Sequence, residues 1–370
     1  MNLQRMTLAF GRSQPENYAA MAKEAIRQRD YDAALRQVER RLAKRFYDFD
    51  ALYLKAEILA LKGNYAEAAG TIRDVLLRVP GARANQVQAI GFDEPKTYYL
   101  FALYSWKAGQ YEQAAELLRA ALDAGYPVGG ESLAEYMPEA AKDPEQALAV
   151  AHIALRTRQP KAFLRAVDQL HRERRYWLRG ELALAEWMET IDKNKVGAAM
   201  RLRAALSLYP KDPAANLALE NFEARNTPRS SQEVQRWRQR AHETTGVKVI
   251  GPGLFTFTSG NYADKRGLIM GRNGKATASI STGAFKVTRL IINARGTWAL
   301  GMYPILVVRV DDRDAAWLYL DGLQPHLFDL ELWPNGAPKD LKIEFEFIND
   351  AYEPTSKADR NVVIEDILLY

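Results

Sequence analysis

The sequence predicts a multidomain chain, an all-α helical solenoid followed by an all-β antiparallel sandwich. Three observations carry that expectation: a unit of about 34 residues recurs through roughly the first two-thirds of the 370 residues, the hydrophobic period falls to two from Val247 onward, and the segment NTPRSS from Asn226 between them is rich in turn residues. The expected bounds are residues 15–245 for the solenoid and 247–370 for the sandwich.

The repeat is legible residue by residue. Ala22, Tyr31 and Ala34 recur as Ala56, Tyr65 and Ala68, and again as Ala102, Tyr111 and Ala114 after a spacer containing Gly91 and Pro95. GNYAEAA at Gly63 is echoed by GQYEQAA at Gly109, and NKVGAAMRLRAALSLYP repeats the logic with Ala198, Ala205 and Pro210. This pattern resembles the tetratricopeptide repeat, in which small residues let paired helices approach closely, a glycine makes their turn and a proline closes the unit. Pro80 occupies the position of a closing proline, and Pro144 to Arg174 reads as further helix pairs. Ser230 and Glu233 form a capping-box pattern for a last helix through Ala241. The resemblance implies a groove along the stacked helices that takes a protein partner, and it names no residue that does so.

The C-terminal part is punctuated by Gly, Asn, Asp and Pro. LIINARG, PILVVRV, AWLYL, LFDLEL, KIEFEFI and VVIEDILL read as strands, and in KIEFEFI the alternation of Ile343, Phe345 and Phe347 with Lys342, Glu344 and Glu346 predicts one face in water. Arg272-Asn273-Gly274-Lys275 is expected to be a tight hairpin, which also dismisses GRNGKAT as a phosphate loop.

Composition excludes several functions. With 48% hydrophobic and 26% charged residues the chain has ordinary globular character. A formal charge of +5, spread among interspersed acids and bases, gives little basis for nucleic-acid binding. The absence of cysteine removes disulfides, thiolate metal sites and a cysteine nucleophile. No apolar run approaches the roughly 18 residues of a membrane span, and the apolar part of Met1 to Gly11 is too short for a secretory signal, so no transmembrane segment is expected in this chain. His152, His171, His242 and His326 lack the spacing of a paired metal site, no GxSxG elbow occurs, and the chain is not expected to be an enzyme. His171 to Trp177, HRERRYW, is the sharpest basic-aromatic run; it reads either as a partner-binding patch or as a solvated helix end.

INDAYEPTSKADRNVVIEDILLY at the C-terminus concentrates hard oxygen ligands. Asn349, Asp350, Asp359, Asn361 and Asp366 offer carboxylate or amide oxygens of the kind calcium takes, although an Asp-rich loop is more often turn chemistry or a solvated hairpin than a metal site. With Ala294-Arg295-Gly296-Thr297, Gly301, Tyr303-Pro304, Val310-Asp311, Asn349-Asp350 and Asp359-Arg360-Asn361, the stretch from Gly251 to Tyr370 resembles the calcium-dependent xylan-binding carbohydrate-binding module. That resemblance implies a jelly-roll-like sandwich with Asp350, Asp359 and Asn361 at a calcium site, Asn349 as a weaker fourth ligand, and calcium in direct contact with sugar hydroxyls. Tyr303 and Tyr352 are then expected to offer aromatic faces to the sugar ring, beside Asp350 and Asp359, with Tyr303 reading equally as a strand-edge packing residue. The sequence departs from the family at Tyr303, where tryptophan is common, at the bulky Trp298-Ala299-Leu300, and along Val362 to Asp366. Together the two resemblances imply a non-catalytic adaptor that joins a protein partner to a polysaccharide during synthesis or export in a bacterial periplasm or cell envelope. The alternatives are a structural scaffold whose sandwich binds no sugar, or the soluble part of a membrane glycan-handling enzyme.

Overall fold

The computed structural model describes residues 17–84, 91–226, 247–258, 260–283 and 286–370. The expected helix from Ser230 to Ala241 and His242 lie outside the described residues. The chain divides into two compact units, Met1–Ala108 and Gly109–Tyr370, so the later helices share a unit with the sandwich.

The first unit holds α1 (Asn17–Arg27), α2 (Tyr31–Leu42), α3 (Phe49–Leu61), α4 (Tyr65–Ala84) and α5 (Glu94–Lys107). The repeat explains its packing: Ala22, Ala34, Ala56, Ala68 and Ala102 are all fully buried, where a larger side chain would force the helices apart. Aspartates open the helices by capping, as where Asp30 Oδ1 accepts from Ala33 N at 2.9 Å and Asp48 Oδ1 from Ala51 N at 3.1 Å. The recurring tyrosine marks a helix start, since α2 and α4 begin at Tyr31 and Tyr65. Two residues before each lies a left-handed residue, Arg29 with φ 58° and Gly63 with φ 83°. Only the second is the glycine that such a turn favours. Pro80 does not close its repeat; α4 runs through it to Ala84.

The second unit continues with α6 (Tyr111–Asp123), α7 (Gly130–Ala134), α8 (Pro144–Arg156), α9 (Pro160–Arg172), α10 (Trp177–Thr190), α11 (Lys195–Leu208) and α12 (Pro213–Asn226). Arg158 and Lys193 supply the same left-handed turn before α9 and α11, at φ 55° and 56°.

The strands that follow among the described residues are β1 (Lys248–Val249), β2 (Thr256–Phe257), β3 (Asn261–Asp264), β4 (Gly267–Met270), β5 (Gly274–Ser281), β6 (Arg289–Gly296), β7 (Ile305–Val310), β8 (Arg313–Tyr319), β9 (His326–Glu331), β10 (Asp340–Phe347), β11 (Tyr352–Glu353), β12 (Ala358–Asp359) and β13 (Val362–Leu369). One sheet runs β3-β4-β13-β6-β9 with β1 also on β13, the other runs β2-β5-β10-β7-β8, and β11 pairs β12. All pairings are antiparallel, and Met270, Ile292, Leu306, Phe345, Phe347 and Ile364 pack in a single core cluster.

Two local expectations fail. Asn273-Gly274 is not a hairpin turn, because β4 belongs to one sheet and β5 to the other, so the chain crosses the sandwich there. The outer face of β10 is only partly open to water: the Lys342 side chain is 43% exposed, as expected, but Glu344 is buried, with Lys275 Nζ at 2.7 Å and Arg309 Nη1 at 2.8 Å, and Arg309 also grips Glu346.

Within this unit the sandwich is clasped by helices. Ala214 and Leu217 of α12 pack on Ile291 and Leu368. Edge strand β8 is met by α6, where Glu116 Oε2 accepts from Tyr319 N at 3.1 Å. Arg289 Nη1 reaches Asp212 Oδ2 at 2.6 Å, and Asn221 Nδ2 donates to Asn293 Oδ1 at 2.9 Å. Covering edge strands in this way satisfies backbone groups that would otherwise recruit another chain.

Candidate functional site

The acidic segment lies at one end of the sandwich, where the β4–β5 crossing, the chain after β6 and the β10–β13 connection converge. Local bonding explains the convergence. Asn273 Oδ1 accepts from Asp350 N at 2.7 Å, and Thr297 Oγ1 accepts from Asn361 N at 2.8 Å while its hydroxyl donates to the Asp359 carbonyl. Asn273 therefore serves as a side-chain acceptor in place of the expected turn residue. Gly296 is required by close approach, since a Cβ there would lie 2.3 Å from Pro304 Cγ.

Asp350 and Asp359 are close enough to interact. Burial, and then the Asp359 carboxylate, hold the Asp350 carboxyl above the usual range. Among the described residues neither carboxylate forms a salt bridge, although Arg272 and Arg360 exert a weaker opposing field on Asp350. Arg360, only 2% exposed, donates to the carbonyls of Ala299 and Asn349. Asn361 Nδ2 donates to the Asp359 carbonyl at 3.3 Å, which leaves its Oδ1 as the amide acceptor.

Two of the sequence candidates have other work. Asn349 is buried; its Oδ1 accepts from Ile305 N at 2.7 Å and its Nδ2 donates to the Tyr303 carbonyl at 3.2 Å, so its side chain ties β10 to the start of β7. Asp366 points away from the acidic loop, with its Oδ2 accepting from Asn293 Nδ2 at 3.0 Å. The register of β13 on β6 shifts between Ile364 and Asp366, as at a β-bulge. Among the described residues no group of three or more His, Asp or Glu side chains is arranged to hold a metal ion.

Aromatic groups flank the loop. Tyr352 is 55% exposed and pairs with Asp359 in the β11–β12 ribbon. Tyr303 is partly buried, edge-on to Trp298 at 4.9 Å and to Tyr319 at 6.2 Å between ring centres. Trp298 is 42% exposed, follows Thr297 directly and offers more open ring surface than Tyr303. The sequence reading treated it only as a departure, although a bulky aromatic directly after Thr297 was the available signal.

The basic-aromatic run has an internal role. Arg175 bonds Glu331 of β9, Tyr176 is buried, and Trp177 lies 5.9 Å from the Tyr209 ring. His171 Nε2 sits 3.1 Å from Glu181 Oε1. Among the described residues no helix is long and apolar enough to cross a membrane.

Comparison with known proteins identifies the repeats. The tetratricopeptide-repeat family matches residues 19–84 and 99–136. No curated protein sequence matches the chain. Among solved structures, a CBM36-1 domain of a multidomain xylanase from the hindgut metagenome of Trinervitermes trinervoides is 10% identical, covering 34% of this chain and 96% of its own, with a TM-score of 0.27. A carbohydrate-binding module CBM36 in complex with calcium and xylotriose is 12% identical over 33% of this chain and 91% of its own, at a TM-score of 0.21. The TPR2AB domain of yeast Sti1 in complex with an HSP90 peptide is 15% identical over 63% of this chain and all of its own, 100%, at a TM-score of 0.27.

Proposed function

We propose that the chain is a non-catalytic adaptor: its repeat helices hold a protein partner and its sandwich holds a polysaccharide through calcium at the Asp350–Asp359 loop. The observation that carries this reading is the adjacency of two carboxylates without a salt-bridged cation, beside the free amide oxygen of Asn361 and the exposed rings of Tyr352 and Trp298.

The donor set fits a hard cation. Asp350 and Asp359 repel each other, and a divalent ion relieves that repulsion. Three side-chain oxygens fall short of the roughly six to eight that calcium takes, which leaves room for backbone carbonyls, water and vicinal sugar hydroxyls. Asn349 is omitted as a side-chain ligand because both of its polar atoms are engaged. Tyr352 and Trp298 serve as the apolar faces for a pyranose ring, with Tyr303 holding Trp298 from behind.

The protein-binding role falls to α1–α5, since α6, α10 and α12 already bond to the sandwich. A polysaccharide ligand fits a bacterial cell-envelope setting, in glycan synthesis or export. A structural role for the sandwich is the second reading, favoured by that same clasp of helices on β6, β8 and β9.

The test is binding of the full chain to xylan and a panel of bacterial polysaccharides, in calcium and then in chelator. The adaptor reading expects glycan retention in calcium, loss in chelator, and loss in Asp350→Asn/Asp359→Asn. Absence of both sugar binding and calcium affinity would leave the structural reading standing alone.

A further inference from the structure

The second unit holds a part-open cavity of about 630 Å³ between the helices and the β8–β9 side of the sandwich, within the roughly 300–1,000 Å³ typical of small-ligand sites. Its polar lining is unevenly satisfied. Arg119 bonds Glu116 Oε1 at 2.8 Å and also Asp321 Oδ2, while Glu186 adds a third carboxylate to the same electrostatic neighbourhood. One guanidinium thus faces three carboxylates.

Two acceptors there are unused. Asp321, 8% exposed at its side chain, keeps Oδ1 without a hydrogen bond; His326 Nε2 lies 3.6 Å from it. Glu186 has no hydrogen-bonded or ion-paired side-chain partner among the described residues, and it lines the cavity with Asp321. His152, which lines it too, is held neutral by burial and by Arg119 and Arg179. Of the lining guanidiniums, Arg119, Arg156, Arg179 and Arg225 are paired, Arg179 with Glu112 Oε1 at 3.0 Å and the Asp329 carbonyl at 2.8 Å, whereas Arg158 is exposed to solvent. The buried part of the lining therefore offers spare acceptors.

We propose that this cavity binds a compact organic cation carrying an ammonium or guanidinium group, held by Glu186 and Asp321 Oδ1. Its carbon skeleton lies along Leu155, Leu182 and Phe328 of the same lining. An anion would find the buried arginines already paired and only the exposed Arg158 open to it, and burying a carboxylate beside Glu186 and Asp321 costs far more than pairing them. The site is separate from the Asp350–Asp359 loop, so its occupancy is independent of calcium.

Agmatine, which carries both cationic groups, is the probe, titrated calorimetrically into the full chain with succinate as the anionic control. Saturable agmatine binding is expected, unchanged by chelator, absent for succinate, and weakened about tenfold or more by Glu186→Gln, a loss of about 1.4 kcal/mol. Glu186 has no side-chain partner in the fold, so this variant tests binding without threatening folding; Glu67→Gln on α4 serves as the unaffected control. No saturation by about 10 mM agmatine, or equal affinity in Glu186→Gln, overturns the proposal.

Discussion

Replacing Arg289 with Met tests whether the sandwich and the last helices form one cooperative body. Arg289 opens β6 and makes a fork: Nε to Asp329 Oδ1 at 2.8 Å, Nη2 to Asp329 Oδ2, and Nη1 to Asp212 Oδ2 at 2.6 Å. Its side chain is 16% exposed, and the two aspartates are 13% and 10% exposed. Burial works against its charge, but Asp329 and Asp212 more than offset that and raise its pKa. Removing one partner of a buried ion pair commonly costs about 3–5 kcal/mol, mostly through the charge left behind. Here the low end applies. Asp212 keeps its cap bonds from Ala214 N at 2.8 Å and Ala215 N at 3.1 Å, and Asp329 keeps Arg179 Nε at 3.8 Å. The expected loss is thus about 3 kcal/mol, or a midpoint drop of about 6–12 °C for a unit of this size. Urea and thermal unfolding measure it, and hydrogen exchange should show the loss in α12 and β6 together. Neutralising both aspartates as well, by Asp212→Asn and Asp329→Asn, should recover part of the loss. A cost below about 1 kcal/mol, or faster exchange confined to the sandwich, refutes the reasoning.

His152 should make stability acid-sensitive. Burial lowers its pKa from 6.5 to about 4, with Arg119 and Arg179 acting in the same sense and Asp321 against it. The unfolded chain therefore binds the proton first, so this contribution is complete above pH 6.5 and is lost as pH falls toward about 4. Burial raises Glu112 and Glu116, also in that cavity, which acts in the opposite direction and makes the comparison with His152→Gln necessary. Urea midpoints across that window should converge for wild type and variant at the acid end. Asn349→Ala should cost about 1–3 kcal/mol in urea unfolding by orphaning the buried Ile305 N–H and Tyr303 carbonyl. Trp298→Ala and Tyr352→Ala remove exposed rings and should weaken glycan retention several-fold with midpoints nearly unchanged; affinity electrophoresis in calcium reads this. Gly296→Ala should destabilise strongly, as measured by thermal unfolding, because its Cβ would also sit 2.7 Å from the Leu320 carbonyl oxygen.

The repeats were legible because packing constrains single positions. An alanine with no room to grow recurs in phase at Ala22, Ala56 and Ala102, and a tyrosine starts α2, α4 and α6. The left-handed turn was legible only where glycine fills it, at Gly63 and Gly109. At Arg29, Arg158 and Lys193 the same conformation is imposed on residues without that preference. Strands β6, β7, β8, β9, β10 and β13 followed their apolar runs, whereas β1, β2, β11 and β12, two residues each, carry no measurable period. Asn273-Gly274 misled because local turn propensity says nothing about which sheet the next strand joins. At the acidic end, residue type brought out Asp350 and Asp359 but could not separate Asn349, which supports backbone, from Asn361, which keeps an amide oxygen free. The cavity was invisible, since Glu186, His152 and Asp321 are distant in sequence and meet only through packing.

Tyr319 ties the aromatic edge of the candidate glycan site to the helical clasp. Its hydroxyl accepts from Tyr303 N at 3.2 Å and donates to Asp123 Oδ2 at 2.9 Å, while its backbone N–H is held by Glu116. Tyr303 in turn stands edge-on to Trp298. The position of Trp298 therefore depends on side chains anchored to α6. An isolated sandwich would lose the Asp123 and Glu116 contacts, expose the apolar patch of Ile291 and Leu368 and free the β8 edge. Weak sugar binding by such a fragment would then reflect a loosened Trp298 as readily as an unsuitable loop. Retention by the full chain, compared between wild type and Tyr319→Phe, separates the two: an intact clasp supports the ring, and losing the hydroxyl should lower glycan affinity with any calcium affinity unchanged.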